Sequence, residues 1–230
     1  MRQFYLFKCS INLSYRLLRS ALIVSIMFFI SPAFSNGIEQ LKAFVLQVHA
    51  AKGNFIQQIV KYSSSDKSDK QAISNTEISS GIFIFSRPTK FIWEYQKPYN
   101  EVLQSDGNTL YIYDYDLNQV SEYKLSSEIG ASPAAILFSN SNLLEKNYIL
   151  HNAGKKDGID WLNMSPKTKK NIQFKRISIG FQRNMFKIMR LYDLFGNLTL
   201  LTFSNIQINP ILNNYQFKFT APKGADMIKN

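Results

Sequence analysis

The sequence predicts a mainly β protein with a small α component: about eleven strands in one antiparallel meander, one long N-terminal helix, and a short helical insertion between two groups of strands. Three observations lead there. From residue 55 onward, short apolar runs of strand length, several alternating with polar residues, are bounded by Gly, Asn, Asp and Pro. A sustained helical stripe occurs once, over about 38–50. One Cys and two His in 230 residues exclude a disulfide framework and a Cys/His zinc site, so stability must come from an apolar core. The apolar share of 45% and the 14% aromatic content supply that core and exclude a wholly disordered chain.

Residues 1–20 carry Arg2, Lys8, Arg16 and Arg19 and no acid; the ten apolar residues Ala21–Ile30 and then Ser31-Pro32-Ala33-Phe34-Ser35 follow. A basic region, a short apolar run and small residues at −3 and −1 are the order of a cleaved secretory signal. The apolar run is half of the roughly 20 residues a spanning helix needs, so an uncleaved anchor is the weaker reading. Cys9 precedes the apolar run and is misplaced for lipid modification of a new N-terminus. The expected division is 1–35 as a signal peptide and 36–230 as a single domain. Cleavage removes four of the 27 basic residues and none of the 16 acids, which takes the net charge from +11 to +7 on 195 residues, with no cysteine. Export, and a basic surplus that reads as scattered along the chain, argue against a nucleic-acid partner.

Ile38, Leu41, Phe44, Val45 and Val48 form one face of the first helix, with Glu39, Gln40, Lys42 and Gln47 off it and Gly53 as its expected stop. Phe55–Val60 and Gly81–Phe85 read as strands flanking a polar hairpin loop, Ser63–Gln71. Phe91, Trp93 and Tyr95 alternate with Ile92 and Glu94 between Pro88 and Pro98. Val102–Ser105 and Thr109–Tyr113 flank Asp106-Gly107-Asn108, a hairpin signal, and Val120–Leu125 is the next strand. Ser132-Pro133 followed by Ala134–Phe138 has a Ser cap and Pro at the first helical position, and a second short helix is expected at 142–146. Strands then resume at 148–151, 159–164, 172–181, 185–192, 198–208 and 215–219, with turns at Asp157-Gly158, Arg183-Asn184 and Gly196-Asn197.

No nucleophile elbow, zinc-protease, dinucleotide or phosphate-loop motif is present. His49 and His151 read as structural, and Asp106, Asp157 and Asp193 as turn formers. Asn197-Leu198-Thr199 matches a glycosylation triplet of a kind common by chance. The residues therefore predict neither an enzyme nor a cofactor or metal site. An eleven-strand sheet with few helices either closes into a packed barrel or curves round a lined cavity, and pattern alone leaves both open.

The series Arg87-Pro88-x-x-Phe91-x-Trp93, then Pro98, then Ser105-Asp106-Gly107-x-x-Leu110-x-x-Tyr113 resembles the periplasmic outer-membrane lipoprotein carrier family, LolA. Phe55-Ile56-Gln57-Gln58, Ser132–Phe138 and the ending Phe217-x-Phe219-x-x-Pro222-x-Gly224-x-Asp226 are similar as well. The resemblance implies a half-open antiparallel β-barrel of about 11 strands, covered by an α lid made of the N-terminal helix and the short helical insertion. It implies a periplasmic carrier, acting without ATP, that shields lipoprotein acyl chains in an apolar cavity. An inner-membrane ABC-type releasing complex would be the donor and an outer-membrane receptor lipoprotein the acceptor, with the carrier expected as a monomer. The alternative is a periplasmic lipoprotein- or lipid-sensing module on the same fold. On this reading Phe44, Val45, Val48, Phe91, Trp93, Ile136 and Leu137 line the cavity, although lining and plain core packing share one geometry. Arg87 would be a latch whose guanidinium holds backbone carbonyls of the lid, as the matching Arg does in the family.

Overall fold

A computed structural model describes residues 36–63, 72–125, 137–138, 141–168 and 172–229. The chain divides between Phe34 and Ser35, and every described residue belongs to the second part. The expected signal segment, most of the Ser63–Gln71 loop and most of the Ser132–Phe138 helix lie outside the described residues.

The first helix, α1 (Gly37–Gln47), starts at Asn36, whose side chain accepts from Glu39 N at 3.0 Å, and Glu39 adds a charge suited to the helix N-terminus. It stops six residues before Gly53. The Val48 N–H closes the last turn on Phe44 O, and the chain enters β1 (Ala50–Ser63) at once. Gly53 marks a bulge, where the pairing of β1 with β11 shifts between Lys52 and Asn54.

The remaining strands are β2 (Ala72–Ser86), β3 (Lys90–Lys97), β4 (Glu101–Asp106), β5 (Thr109–Asp114), β6 (Gln119–Lys124), β7 (Tyr148–Lys156), β8 (Ile159–Pro166), β9 (Phe174–Gln182), β10 (Met185–Asp193), β11 (Leu198–Ile208) and β12 (Asp226–Lys229), with a short helix α2 (Ser141–Asn147) before β7. They form one open sheet in the order β12-β6-β5-β4-β3-β2-β1-β11-β10-β9-β8-β7. The expected single meander is thus two meanders, β1–β6 and β7–β11, joined by antiparallel pairing of β1 with β11. Phe55–Val60 is the centre of a strand 14 residues long, and Gly81–Phe85 the C-terminal part of one 15 residues long.

Two differences concern the C-terminus. Tyr215–Phe219, expected as a strand, begins inside the 3-10 turn Asn214–Phe217, because the Asn213 side chain caps Tyr215 N at 3.0 Å and draws the backbone into a local turn. The twelfth strand is β12, four residues that pair in parallel with β6. Between β11 and β12 the chain lies against β3–β5, with Phe217 buried, Gln104 Nε2 donating to Gln216 O, and Phe219 stacked on Tyr111 at 4.4 Å.

Ring distances reveal the curvature of the sheet. Phe83 on β2 and Phe186 on β10 are three strand steps apart, roughly 14 Å along a flat sheet, yet their ring centroids are 5.9 Å apart. The sheet therefore bends round an interior of aromatic and aliphatic side chains, open between its edge strands β7 and β12. This is the half-open barrel that the Phe/Trp alternation of β3 belongs to.

Candidate functional site

The interior gathers side chains from most of the sheet. Phe55 stacks on Trp93 at 4.1 Å, Phe83 contacts Phe203 edge-on at 5.8 Å, and Phe186 meets Phe203 at 4.7 Å. Phe44, from α1, reaches Phe85 and Phe181 at 6.4 Å each and Phe186 at 5.1 Å. One helix side chain thus touches rings on both meanders.

The structure brings together most of the residues singled out from the sequence. Phe44, Val48, Phe91, Trp93 and Leu137 are all buried in one apolar cluster, and Val45 is half-buried against it. Ile136 lies outside the described residues. Two further residues share the position and were not singled out. Phe138 is 2% exposed, with its ring 4.7 Å from Phe85 and 5.2 Å from Phe91. Phe85 was legible only as strand core, and Phe138 only as the end of a helical run; no local signal separates a ring that seats a neighbour from one that fills space.

Helix α1 is firmly seated. Gln40, expected among the polar positions outside the stripe, is 2% exposed. Its amide donates to the buried Asp160 carboxylate on β8 and its oxygen accepts from Asn184 N at 2.9 Å. Ile38 N donates to Asn152 Oδ1 at 3.0 Å. Gly37 lies so close to the backbone of Trp161 and Leu162 that a Cβ there would come within 2.7–2.8 Å. At the other end, Asn209 Oδ1 accepts from His49 N at 2.9 Å and its Nδ2 donates to Gln47 O at 2.8 Å.

Arg87, directly after β2, joins this fixed helix end to the insertion. Its Nε donates to Val48 O at 2.8 Å and its Nη2 to Leu137 O at 3.1 Å, while its own N–H donates to His49 O at 2.8 Å. The guanidinium lies over Phe44 and Phe85, 4.9 and 5.2 Å from their centroids, so ring faces offset part of its desolvation. Burial pushes its pKa down to about 10, which leaves it charged throughout the physiological range. A planar fork with five donors suits this bridging of two carbonyls; an ammonium, a point charge, does not.

The motif residues downstream have local work. Ser105 Oγ accepts from Gly107 N at 3.1 Å, and Asp106 Oδ1 accepts from Asn108 N and Thr109 N at 2.8 and 2.9 Å, closing the β4–β5 turn. Asn118 Nδ2 donates to Gly224 O at 2.9 Å, anchoring the tail just before β12.

Residues 47–220 match the family model described as Outer membrane lipoprotein carrier protein LolA. The chain belongs to the LolA family. It is 49% identical over 215 residues to an outer-membrane lipoprotein carrier protein of Cupriavidus taiwanensis, covering 93% of this chain and 98% of that one. It is 36% identical over 208 residues to one of Neisseria meningitidis serogroup B, covering 90% and 94%. The fold also resembles the crystal structure of an uncharacterized conserved protein from Thermus thermophilus, with a TM-score of 0.52, 11% identity and coverage of 84% and 96%. LolA proteins are carriers, not enzymes. In this chain the Arg87–Tyr113 series builds β3–β5 and the insertion contact, and the segment from Phe217 to Asp226 runs from β3–β5 to the start of β12, which pairs with β6.

Proposed function

We infer that this chain is a soluble periplasmic carrier that takes lipoproteins released from the inner membrane, covers their acyl chains inside the half-barrel, and delivers them to the outer membrane. The observation that carries the mechanism is the seat of Phe138 over Phe85 and Phe91, with the neighbouring Leu137 O tied to the body of the protein by Arg87. This seat, occupied here by Phe138, is where an acyl chain would lie.

The magnitudes allow the exchange. Burial of Leu137 and Phe138 is worth roughly 5 kcal/mol together, and the Arg87 bond to Leu137 O adds about 2 kcal/mol. One acyl chain of about sixteen carbons carries on the order of 12 kcal/mol against water. A chain offered at the opening therefore displaces the insertion, and the insertion regains its seat only when an acceptor takes the chain. Because α1 is anchored through Gln40, Gly37 and Asn209, the moving part is the Leu137–Phe138 segment and not α1. Opening breaks the Arg87 bond to Leu137 O and leaves that to Val48 O intact.

Phe91, Trp93 and Phe85 form the floor of the acyl site on this reading, Phe44, Val45 and Val48 its side wall, and Leu137 and Phe138 its roof. Broad apolar contact of this kind tolerates different chains and different attached proteins. The donor is an inner-membrane ABC-type complex that supplies the energy, the acceptor an outer-membrane receptor lipoprotein, and the carrier works as a monomer.

The test is release of a labelled lipoprotein from spheroplasts by the purified protein, with its bound lipid identified by mass spectrometry. Release of a stoichiometric, acyl-containing complex followed by hand-over to outer membranes is expected. Binding of lipoprotein without hand-over by the wild-type protein would favour a sensing module, and no release would overturn the carrier.

A further inference from the structure

The basic surplus is not evenly spread. Between Asp160 and Asp193 the chain carries eight Lys and Arg residues and no acid. That stretch builds β8, β9 and β10, whose inward positions Leu162, Met164, Ile177, Ile179, Met189 and Leu191 are buried. Arg176 and Arg190 alternate with these inward positions and so face outward, and Lys175, unpaired where the β9–β10 register shifts, is exposed beside Arg176. At the rim of this outer face lies a recess of about 530 Å³ lined by Tyr62, Ser165, Lys175, Arg176, Tyr192 and Gly196. Arg176 is paired in register with Tyr192 on the next strand, and its guanidinium lies 4.1 Å over the Tyr192 ring. Stacking fixes the plane of the fork, and hydroxyl groups of Ser165, Tyr62 and Tyr192 complete a lining of donors with no carboxylate in it. The adjacent Asp193 carboxylate is engaged by Asn197, N and Nδ2, at 2.8 and 2.7 Å.

A second feature stands beside the recess. The β10–β11 turn is tied at its base by Asp193 N to Asn197 O at 3.1 Å and by the Asp193–Asn197 side-chain bonds. Its tip holds two apolar residues in water: Phe195 is 87% exposed and Leu194 54%. An exposed aromatic on a braced turn, next to a cationic recess, has the composition of a surface that meets lipid: apolar groups for the acyl boundary, charge and aromatic hydroxyls for the headgroup layer.

We propose that the β10–β11 turn and the recess beside it dock the protein on an anionic phospholipid surface, Leu194 and Phe195 entering the acyl boundary while Lys175 and Arg176 take the headgroup phosphates. Charge complementarity selects this occupant. A second copy of this chain would bring a net positive charge against the same basic face, and a free phosphate ion would make no use of Phe195. The docking does not depend on what the interior carries.

Vesicle co-sedimentation with the purified, unloaded protein tests it. The wild-type protein is expected to bind vesicles containing phosphatidylglycerol and to bind pure phosphatidylcholine vesicles far more weakly, with binding falling as salt rises. Lys175→Gln with Arg176→Gln should weaken partition about thirtyfold, the factor two such charges carry near an anionic surface, and Phe195→Ala about tenfold. Lys146→Gln with Lys223→Gln removes the same charge from exposed positions elsewhere and should change little; thermal melts of all variants show that each is folded. Equal binding by wild type and both site variants, no preference for the anionic lipid, or no binding at all would overturn the proposal. So would displacement by millimolar inorganic phosphate together with indifference to Phe195→Ala, which would make the recess a site for the free anion.

Discussion

Arg87 is a charge placed where an apolar residue would pack as well, and its position is explained by what it connects. Arg87→Leu puts an apolar side chain beside Phe44 and Phe85 and removes the guanidinium with its bonds to Val48 O and Leu137 O. The arrangement with Phe138 seated then loses the bond that draws Leu137 back, so loading is easier and unloading harder. The variant is expected to take lipoprotein from spheroplasts normally and to hand it over at least tenfold more slowly, given about 2 kcal/mol of lost closing free energy; transfer at the wild-type rate would remove the latch role. Phe138→Ala acts on the same step without touching charge, and should increase binding of a fluorescent apolar probe to the empty protein as the seat over Phe85 and Phe91 is vacated. A different residue sets a pH effect. Burial first, and the facing Asp114 carboxylate second, raise the Glu101 pKa above its usual value. The penalty for ionised Glu101 is absent below its unfolded pKa and complete above the raised folded value, so it removes stability as pH rises through that interval. Asp114→Asn keeps the acceptor for Leu117 N and removes the like charge. It should stabilise by about 0.5 kcal/mol at neutral pH, with a gain that shrinks as the pH is lowered through that interval and Glu101 becomes neutral, measured by urea unfolding across pH.

At the scale of elements, α1 and the insertion differ in how they are held. α1 is joined to the sheet by the buried Gln40–Asp160 bond, which is expensive to break, and by more exposed bonds at both of its ends. Gln40→Ala would leave the Asp160 carboxylate without its buried amide partner and Asn184 N without an acceptor, and should cost about 3 kcal/mol in denaturant unfolding. Gln40→Ala combined with Asp160→Ala should cost less than the two single changes together, as expected of partners in one network; strict additivity would show that they do not interact. The insertion has only apolar burial and the Arg87 fork among its described contacts across the site. Much of this was readable beforehand: the apolar stripe of α1 and the alternation of β3 have the right period, and the turns at Asp106–Asn108, Asp157-Gly158 and Arg183-Asn184 carry residues suited to them. Gln40 was not readable. A polar residue beside an apolar stripe normally faces water, and only the approach of β8 gives it a buried partner.

For the whole molecule, a sheet of twelve strands bent round rings makes loading a local event. On addition of an acylated peptide, hydrogen exchange is expected to speed at the Leu137 and Phe138 amides, while those of α1 and of β8–β9 keep their protection. Equal loss of protection in α1 would mean that the helices lift together and that the Gln40 anchor is not a pivot. The outer face then has its own task, separate from the interior, and the open edges β7 and β12 are kept from pairing by different means. β7 is exposed along most of its length and ends in Lys155 and Lys156, which discourages edge-to-edge addition. β12 is only four residues long.

The chain by itself determined the mainly β class, the basic and apolar order of its first 35 residues, the hairpin turns, and the motif series that places it among lipoprotein carriers. These depend on periodicity, turn chemistry and composition, which are local. The tertiary structure alone decided that β1 joins two meanders, that Gly53 is a bulge and no helix stop, that Tyr215–Phe219 begins inside a turn, and that Phe138 rests over Phe85 and Phe91. Each of those outcomes depends on which distant backbone or ring arrives alongside, and long-range pairing is set by the closing of the whole sheet, which no window of neighbouring residues contains.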